Sequence, residues 1–184
     1  MSRVLKRLML AVLVTAGIAA GYRSIQDSTA SLDSLLAFCA ADNGNSIVSW
    51  YDGSQIVVAS VGPGGKAGKT VRFSAETKDS MYNMVGMASG GSYAYVLRNR
   101  VDRYDGELQG QELMVIDFGG LWGKTEKVFE LTCEDGYEYG WLNASGDTIT
   151  LIASDEYGTA AIRESYEFGA VLENTLNLKN TRTY

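Results

Sequence analysis

Histidine is absent from this chain of 184 residues. Because histidine is the commonest general base and metal ligand, its absence removes most familiar catalytic and zinc-binding arrangements. The two cysteines, Cys39 and Cys133, do not have the spacing of a zinc site, and we expect free thiols, with a disulfide as the alternative in an exported protein. We therefore predict no metal and no cofactor, and we favour a protein that is not an enzyme.

Proline is almost as scarce, with one residue, whereas glycine is abundant, with 21 residues. Glycine adopts the positive φ angles of tight turns without steric cost. This composition indicates a fold with many short turns.

Positive charge is scarce outside the N-terminus. Four of the 16 basic residues, Arg3, Lys6, Arg7 and Arg23, lie in residues 1–23, which contain no acidic residue. The rest of the chain has 12 bases against 22 acids, a net charge of about −10. Such a body is repelled by nucleic acid phosphates, so we predict no nucleic acid partner.

The N-terminus has the pattern of an export signal. Three basic residues precede an uncharged run, residues 8–22, that ends in small side chains. As a helix the run would be about 22 Å long, shorter than the ~30 Å hydrocarbon core, although flanking bases can extend its reach. We predict that residues 1–23 are a signal anchor or a cleaved signal peptide. The body would then lie outside the cytoplasm, as a single-pass membrane protein anchored through residues 8–22 or as a secreted protein.

Residues 24–44 are interpreted as a short linker helix. Leu32, Leu35, Leu36 and Cys39 follow the i, i+3, i+4, i+7 spacing of one helical face. The β-rich body would begin at residue 45.

Residues 45–184 are predicted to be all-β, built of antiparallel hairpins. Eleven short runs rich in β-branched and aromatic residues alternate with glycine, aspartate, asparagine and serine turns. The predicted strands are residues 47–51, 55–61, 70–75, 81–88, 92–98, 112–118, 127–132, 140–143, 148–153, 160–165 and 175–178.

Three of these runs, residues 56–59, 93–97 and 113–116, are apolar on both faces. Strands of this kind belong to sheets that are covered on both sides, as in a stack of sheets. The turn glycines Gly53, Gly90 and Gly146 are 37 and 56 residues apart, which suggests a repeat of about 35–55 residues, the length of a four-stranded unit. Each unit would end in a similar strand: residues 69–73, 127–131 and 174–178.

In the recurring order and spacing of its turns and strands, the body resembles extracytoplasmic β-propeller repeats of the WD40-like or quinoprotein-like kind. The resemblance covers about three units in residues 46–178. The resemblance implies a binding or scaffold surface at the loop tips, often without catalysis. Propellers have four to eight blades, so three would form an open arc with an apolar end face. The chain would then be a fragment of a longer protein, an assembling protomer or a different all-β fold, and we favour the fragment.

The leading hypothesis is therefore a binding or sensing module for an unknown protein or small molecule. The alternatives are an exported hydrolase or lyase that uses paired carboxylates, and a structural protein that assembles through open sheet edges. Acidic, aromatic loops at residues 133–139 and 154–158 suit ligand binding. The candidate binding residues are Tyr104, Trp122, Tyr137, Tyr139, Trp141, Asp155 and Tyr157.

A glycine-rich stretch, residues 62–70, resembles a phosphate-binding loop. Pro63 occupies the position of the first required glycine, and the residues that follow favour a strand over the required helix. We predict a strand connection here.

Overall fold

The computed structural model describes residues 35–41, 44–63, 65–119, 124–145, 148–168 and 176–183. The predicted export segment, most of the predicted linker helix and Trp122 lie outside these residues. The described residues contain twelve strands and no helix, which confirms the all-β prediction.

The strands form three antiparallel four-stranded sheets, and strand order within each sheet follows chain order. Sheet I contains β1 (Leu35–Ala40), β2 (Ser46–Asp52), β3 (Gln55–Val61) and β4 (Ala67–Ser74). Sheet II contains β5 (Ser80–Gly90), β6 (Tyr93–Asp102), β7 (Leu108–Asp117) and β8 (Lys124–Leu131). Sheet III contains β9 (Tyr137–Ser145), β10 (Thr148–Asp155), β11 (Ala161–Phe168) and β12 (Leu176–Thr183).

The linker-helix interpretation is wrong for residues 35–40, which form β1. β1 pairs with β2 in antiparallel register, with Phe38 opposite Val48 and Cys39 opposite Ile47. The i, i+4 spacing of Leu35 and Cys39 is therefore not helical, because pairing with β2 satisfies the backbone of this segment. The β body begins at least ten residues before the predicted boundary at residue 45.

The predicted last strands of the three units correspond to β4, β8 and β12, which do end their sheets. The glycine alignment is less regular. Gly53 connects the second and third strands of sheet I, whereas Gly90 ends the first strand of sheet II. The equivalent turn in sheet I is at Gly44, between β1 and β2, and it was missed together with β1.

The sheets pack face to face in the order I, II, III, with β1 against β5 and β5 against β9. The described strands form an open arrangement, not a closed ring. Sheet II is covered on both faces, as predicted, because successive residues of its central strands enter different cores. Val96 faces sheet I and Leu97 faces sheet III, and both are completely buried.

A buried ion pair lies in the core between sheets I and II. Arg98 of β6 donates to Glu112 of β7 at 2.6 and 2.9 Å, and both side chains are less than a tenth exposed. The Arg98 guanidinium lies 4.0 Å from the centre of the Tyr82 ring and 5.4 Å from that of Phe73. Aromatic faces and a carboxylate thus replace the water that this cation loses on burial.

Candidate functional site

A cleft of about 730 Å³ opens between sheets II and III. It lies where β9 begins and β10 ends. Its lining residues are Val85, Asn99 and Leu108 of sheet II, and Gly136, Tyr137, Glu138, Tyr139, Gly140, Ser154, Asp155 and Glu156 of sheet III.

The wall formed by β9 is fixed by a side chain of sheet II. The register of β9 shifts between Tyr139 and Trp141, which pair with Ala153 and Ile152. The side-chain amide of Gln111 forms the two backbone hydrogen bonds that a neighbouring strand would otherwise form with Tyr139. Its Oε1 accepts from the Tyr139 N–H at 2.7 Å, and its Nε2 donates to the Tyr139 carbonyl at 2.9 Å. These bonds satisfy the backbone N–H and carbonyl of Tyr139 in the edge strand β9 and hold that strand against sheet II.

The tyrosines Tyr137 and Tyr139 face this region differently. Tyr137 is partly buried, lines the cleft and packs against the core between sheets II and III. Tyr139 is 1% exposed, and its hydroxyl donates to Glu164, which also accepts from Tyr166 at 2.5 Å. Burial and the bond to Glu164 raise the pKa of Tyr139, and raise that of Tyr166 to about 12. The ring of Tyr139 therefore belongs to the core.

The cleft is acidic. Three of its lining residues, Glu138, Asp155 and Glu156, are carboxylates, and none of the lining residues that the structure describes is basic. Asp155 accepts hydrogen bonds from the Thr159 hydroxyl and from the backbone N–H groups of Thr159 and Ala160. The Thr159 hydroxyl and these N–H groups lower the Asp155 pKa, so this carboxylate stays ionised and closes the turn after β10. The other two side chains are exposed.

The remaining predicted binding residues are dispersed. Tyr104 and Tyr157, each 80% exposed, lie on turns, and Tyr157 directly follows Glu156 of the cleft lining. Trp141 is about half exposed and lies beside Ile152. The sequence interpretation missed the contribution of sheet II, because Val85 and Asn99 meet the acidic loops only through packing between sheets.

The glycine-rich stretch forms a hairpin turn, as predicted. The Gly62 N–H donates to the Lys66 carbonyl at 3.1 Å, and β4 follows directly. Lys69 donates to the carbonyl of Phe118, which links sheet I to the end of β7. The lysine therefore has a structural contact across the interface.

The two cysteines are free thiols in different cores. Cys39 packs between sheets I and II, where burial raises its pKa to about 11. Cys133 packs between sheets II and III, and burial also raises its pKa. Raised pKa values reduce the thiolate fraction, so neither group has the properties of an activated nucleophile.

Within the described ranges, no group of side chains is arranged to hold a metal ion. The same ranges include no helix with the length and apolar character needed to cross a bilayer. Comparison of the sequence with profiles of known protein families and with curated proteins gave no match.

Proposed function

We propose that this protein is a non-enzymatic binding module that holds a basic peptide segment in the cleft between sheets II and III. One observation carries the proposal: the cleft combines three carboxylates with an apolar, aromatic wall, and its described lining includes no basic residue. Lysine and arginine side chains match such a site because they carry a cationic head on an aliphatic stem.

The contacts expected for the ligand follow from this lining. The aliphatic stem would pack on Tyr137, Val85 and Leu108, and the cationic head would reach Glu138 and Glu156 at the rim. Asp155 would add a fixed negative charge from its turn without breaking the hydrogen bonds that hold it. Charge-assisted hydrogen bonds to the two exposed glutamates would supply the specificity.

For the hydrolase alternative, the state of Asp155 decides one point, which is that this residue would not be the general acid. A carboxylate pair needs one member with a raised pKa to donate a proton. The Asp155 pKa is lowered, so this residue is unsuited to the role of general acid in the cleft.

We further propose that the three sheets are blades of the propeller type. Two observations support this proposal. Each sheet is a four-stranded antiparallel meander, and the first strands of neighbouring sheets, β1, β5 and β9, pack against one another in that order. The proposed location is extracytoplasmic, membrane-anchored or secreted, and it depends on the pattern of residues 1–23. Fractionation with protease protection tests the location: a body that protease reaches only after the inner membrane is broken would contradict it.

Binding can be measured by fluorescence anisotropy with labelled tetra-lysine and tetra-arginine peptides and the full chain. We expect binding that weakens with salt, and no binding of a tetra-glutamate peptide. The double variant Glu138→Gln/Glu156→Gln should bind about tenfold or more weakly, because charge-assisted bonds contribute ~1.5–3 kcal/mol each.

The matched control is Asp79→Asn/Glu130→Gln, which removes the same charge at exposed positions outside the cleft lining. It should retain the affinity of the parent chain. Equal weakening by both double variants would mean that net charge alone attracts the peptide, and would overturn the cleft as the binding site.

A further inference from the structure

The face of sheet I that points away from sheet II carries an apolar strip. The strip comprises Phe38 of β1, Val48 and Trp50 of β2, and Val57, Ala59 and Val61 of β3. The β2 and β3 side chains are at most 4% exposed, yet among the described residues the cluster they form contains members of sheet I only. An open sheet face would leave such side chains in water, so this face has a cover.

The strip is narrower than a face that packs on another sheet. In the core between sheets I and II, the fourth strand of sheet I contributes Val71 and Phe73. On the opposite face the same strand presents Thr70, Arg72 and Ser74, all exposed. The cover therefore extends over β1–β3 and ends before β4. Three strands span about 10 Å, and the seven residues of β3 about 24 Å.

We propose that the uncharged run in residues 8–22 docks on this apolar strip. As a helix, these 15 residues would be about 22 Å long and about 10 Å wide, which are the dimensions of the strip. The other ranges outside the described residues contain at most seven residues each, too few to cover six side chains. A further four-stranded sheet would also cover Thr70 and Arg72, which are exposed.

The connection to β1 allows this docking. Residues 23–34 join the run to the first strand of the strip and can extend to ~40 Å, which exceeds the length of the strip. The run can therefore lie on the strip in either direction along the strands.

The strip also has an unused hydrogen-bond donor. The Trp50 indole N–H is buried and has no acceptor among the residues that the structure describes. A buried donor without a partner is costly, and such groups indicate a missing partner. The middle of the run contains one hydroxyl, that of Thr15, which is a suitable acceptor.

Docking on the strip and insertion into a bilayer use the same residues, so one molecule cannot do both at once. A chain anchored through residues 8–22 would expose the strip, and a chain with the run docked would not be anchored by it. The proposal is independent of the peptide-binding cleft, which lies between sheets II and III.

Photocrosslinking of the full chain tests the proposal. Benzoylphenylalanine at Phe38, a partly buried aromatic position on the strip, should crosslink within the same chain to a peptide from residues 8–22. The matched control places it at Trp141, an exposed aromatic position on sheet III, where this crosslink should be absent. Mixing labelled and unlabelled chains distinguishes an intramolecular product from a second copy.

A variant of the run provides the second measurement. Leu13→Asp should reduce the Phe38 crosslink by about tenfold or more, because an unpaired carboxylate resists burial, whereas Leu13→Met should retain it. Crosslinks between chains would overturn the proposal and identify a second copy of the chain as the occupant of the strip. Crosslinks to lipid, or a lack of crosslinks to both residues 8–22 and lipid, would also overturn it. Tetra-lysine binding by the same variants reports separately on the cleft.

Discussion

The two end faces of the three-sheet stack differ in chemistry. The outer face of sheet I has the composition of an interior, with Trp50 and Val57 almost fully buried. The outer face of sheet III has the composition of a surface, with Asn143 and Arg163 exposed and Thr150 partly so. The outer face of sheet III is mixed, because Trp141 and Ile152 lie on it beside the polar side chains, and Trp141 is about half exposed. On the outer face of sheet I, by contrast, the apolar side chains of β2 and β3 are almost fully buried.

The outer face of sheet I is the apolar end face that was expected of an open arc. Sheet I has such a face and sheet III does not, although both are terminal sheets of the described arrangement. The distinction comes from alternate residues of single strands. In β3 both sets of side chains are apolar, whereas in β10 Leu151 faces the core and Thr150 faces outward.

The difference in burial between the two end faces is tested most directly by placing one charged side chain on each face. Val57→Lys should destabilise the protein by about 5 kcal/mol, because a buried valine is lost and an unpaired charge is buried. Thr150→Lys should change stability by less than about 1 kcal/mol, because its side chain can reach water. Urea unfolding of both variants measures the difference. Costs within about 1 kcal/mol of each other would show that the faces are equivalent.

Truncating one tryptophan on each end face tests the same difference with a smaller expected effect. Trp50→Ala should cost about 3–5 kcal/mol in the free energy of unfolding, since it leaves a cavity beneath the cover. Trp141→Ala, at a side chain 48% exposed, should cost less than about 1 kcal/mol. Denaturant midpoints with unchanged slopes would report the stabilities directly. A larger loss for Trp141 would place the cover on sheet III instead.

Ion pairs locate the border of the covered region. Glu112→Gln should cost about 3 kcal/mol, because it leaves Arg98 charged in the core. Asp52→Asn removes the partner of Arg72 on the outer face of sheet I, at 2.5 Å but about half exposed, and should cost less than about 1 kcal/mol. A cost for Asp52 comparable to that for Glu112 would mean that the cover extends over β4.

Alkaline pH should loosen the two interfaces in sequence. The pKa of Cys39 rises from 9.0 to about 11, and that of Tyr166 from 10.0 to about 12. Both groups hold their protons more tightly in the folded chain, so the stability they contribute is complete below pH 9 and is lost as pH rises towards 11 and 12. After allowance for partial exposure, we expect a loss of about 1–2 kcal/mol in total.

Single variants separate the two contributions to this pH dependence. Cys39→Ala should reduce the loss of stability between pH 9 and 11. Tyr166→Phe should reduce only part of the loss above pH 10, because the raised pKa of Tyr139 contributes to it as well. Unfolding titrations at several pH values would measure both. An unchanged profile in both variants would assign the alkaline transition to other groups.

The candidate site was only partly predictable. The acidic loops carrying Tyr137 and Asp155 were identified because aromatic and carboxylate residues cluster along the chain there. The wall from Val85 and Asn99 and the role of Gln111 were not, because they depend on which side chain of sheet II meets a shifted strand of sheet III. Likewise, no local pattern separates Tyr139, with its ring in the core, from Tyr137 two residues earlier.

The sequence by itself determined eleven of the twelve described strands, most of the turns between them and the two-sided burial of sheet II, because side chains alternate along a strand and glycine permits the turns. Gln55–Val61 was predicted with the bounds that β3 has. Only the tertiary structure decided that residues 35–40 are a strand, that Gly44 and not Gly53 corresponds to Gly90, and that one end face is covered. These features depend on contacts between distant segments, which local periodicity does not encode.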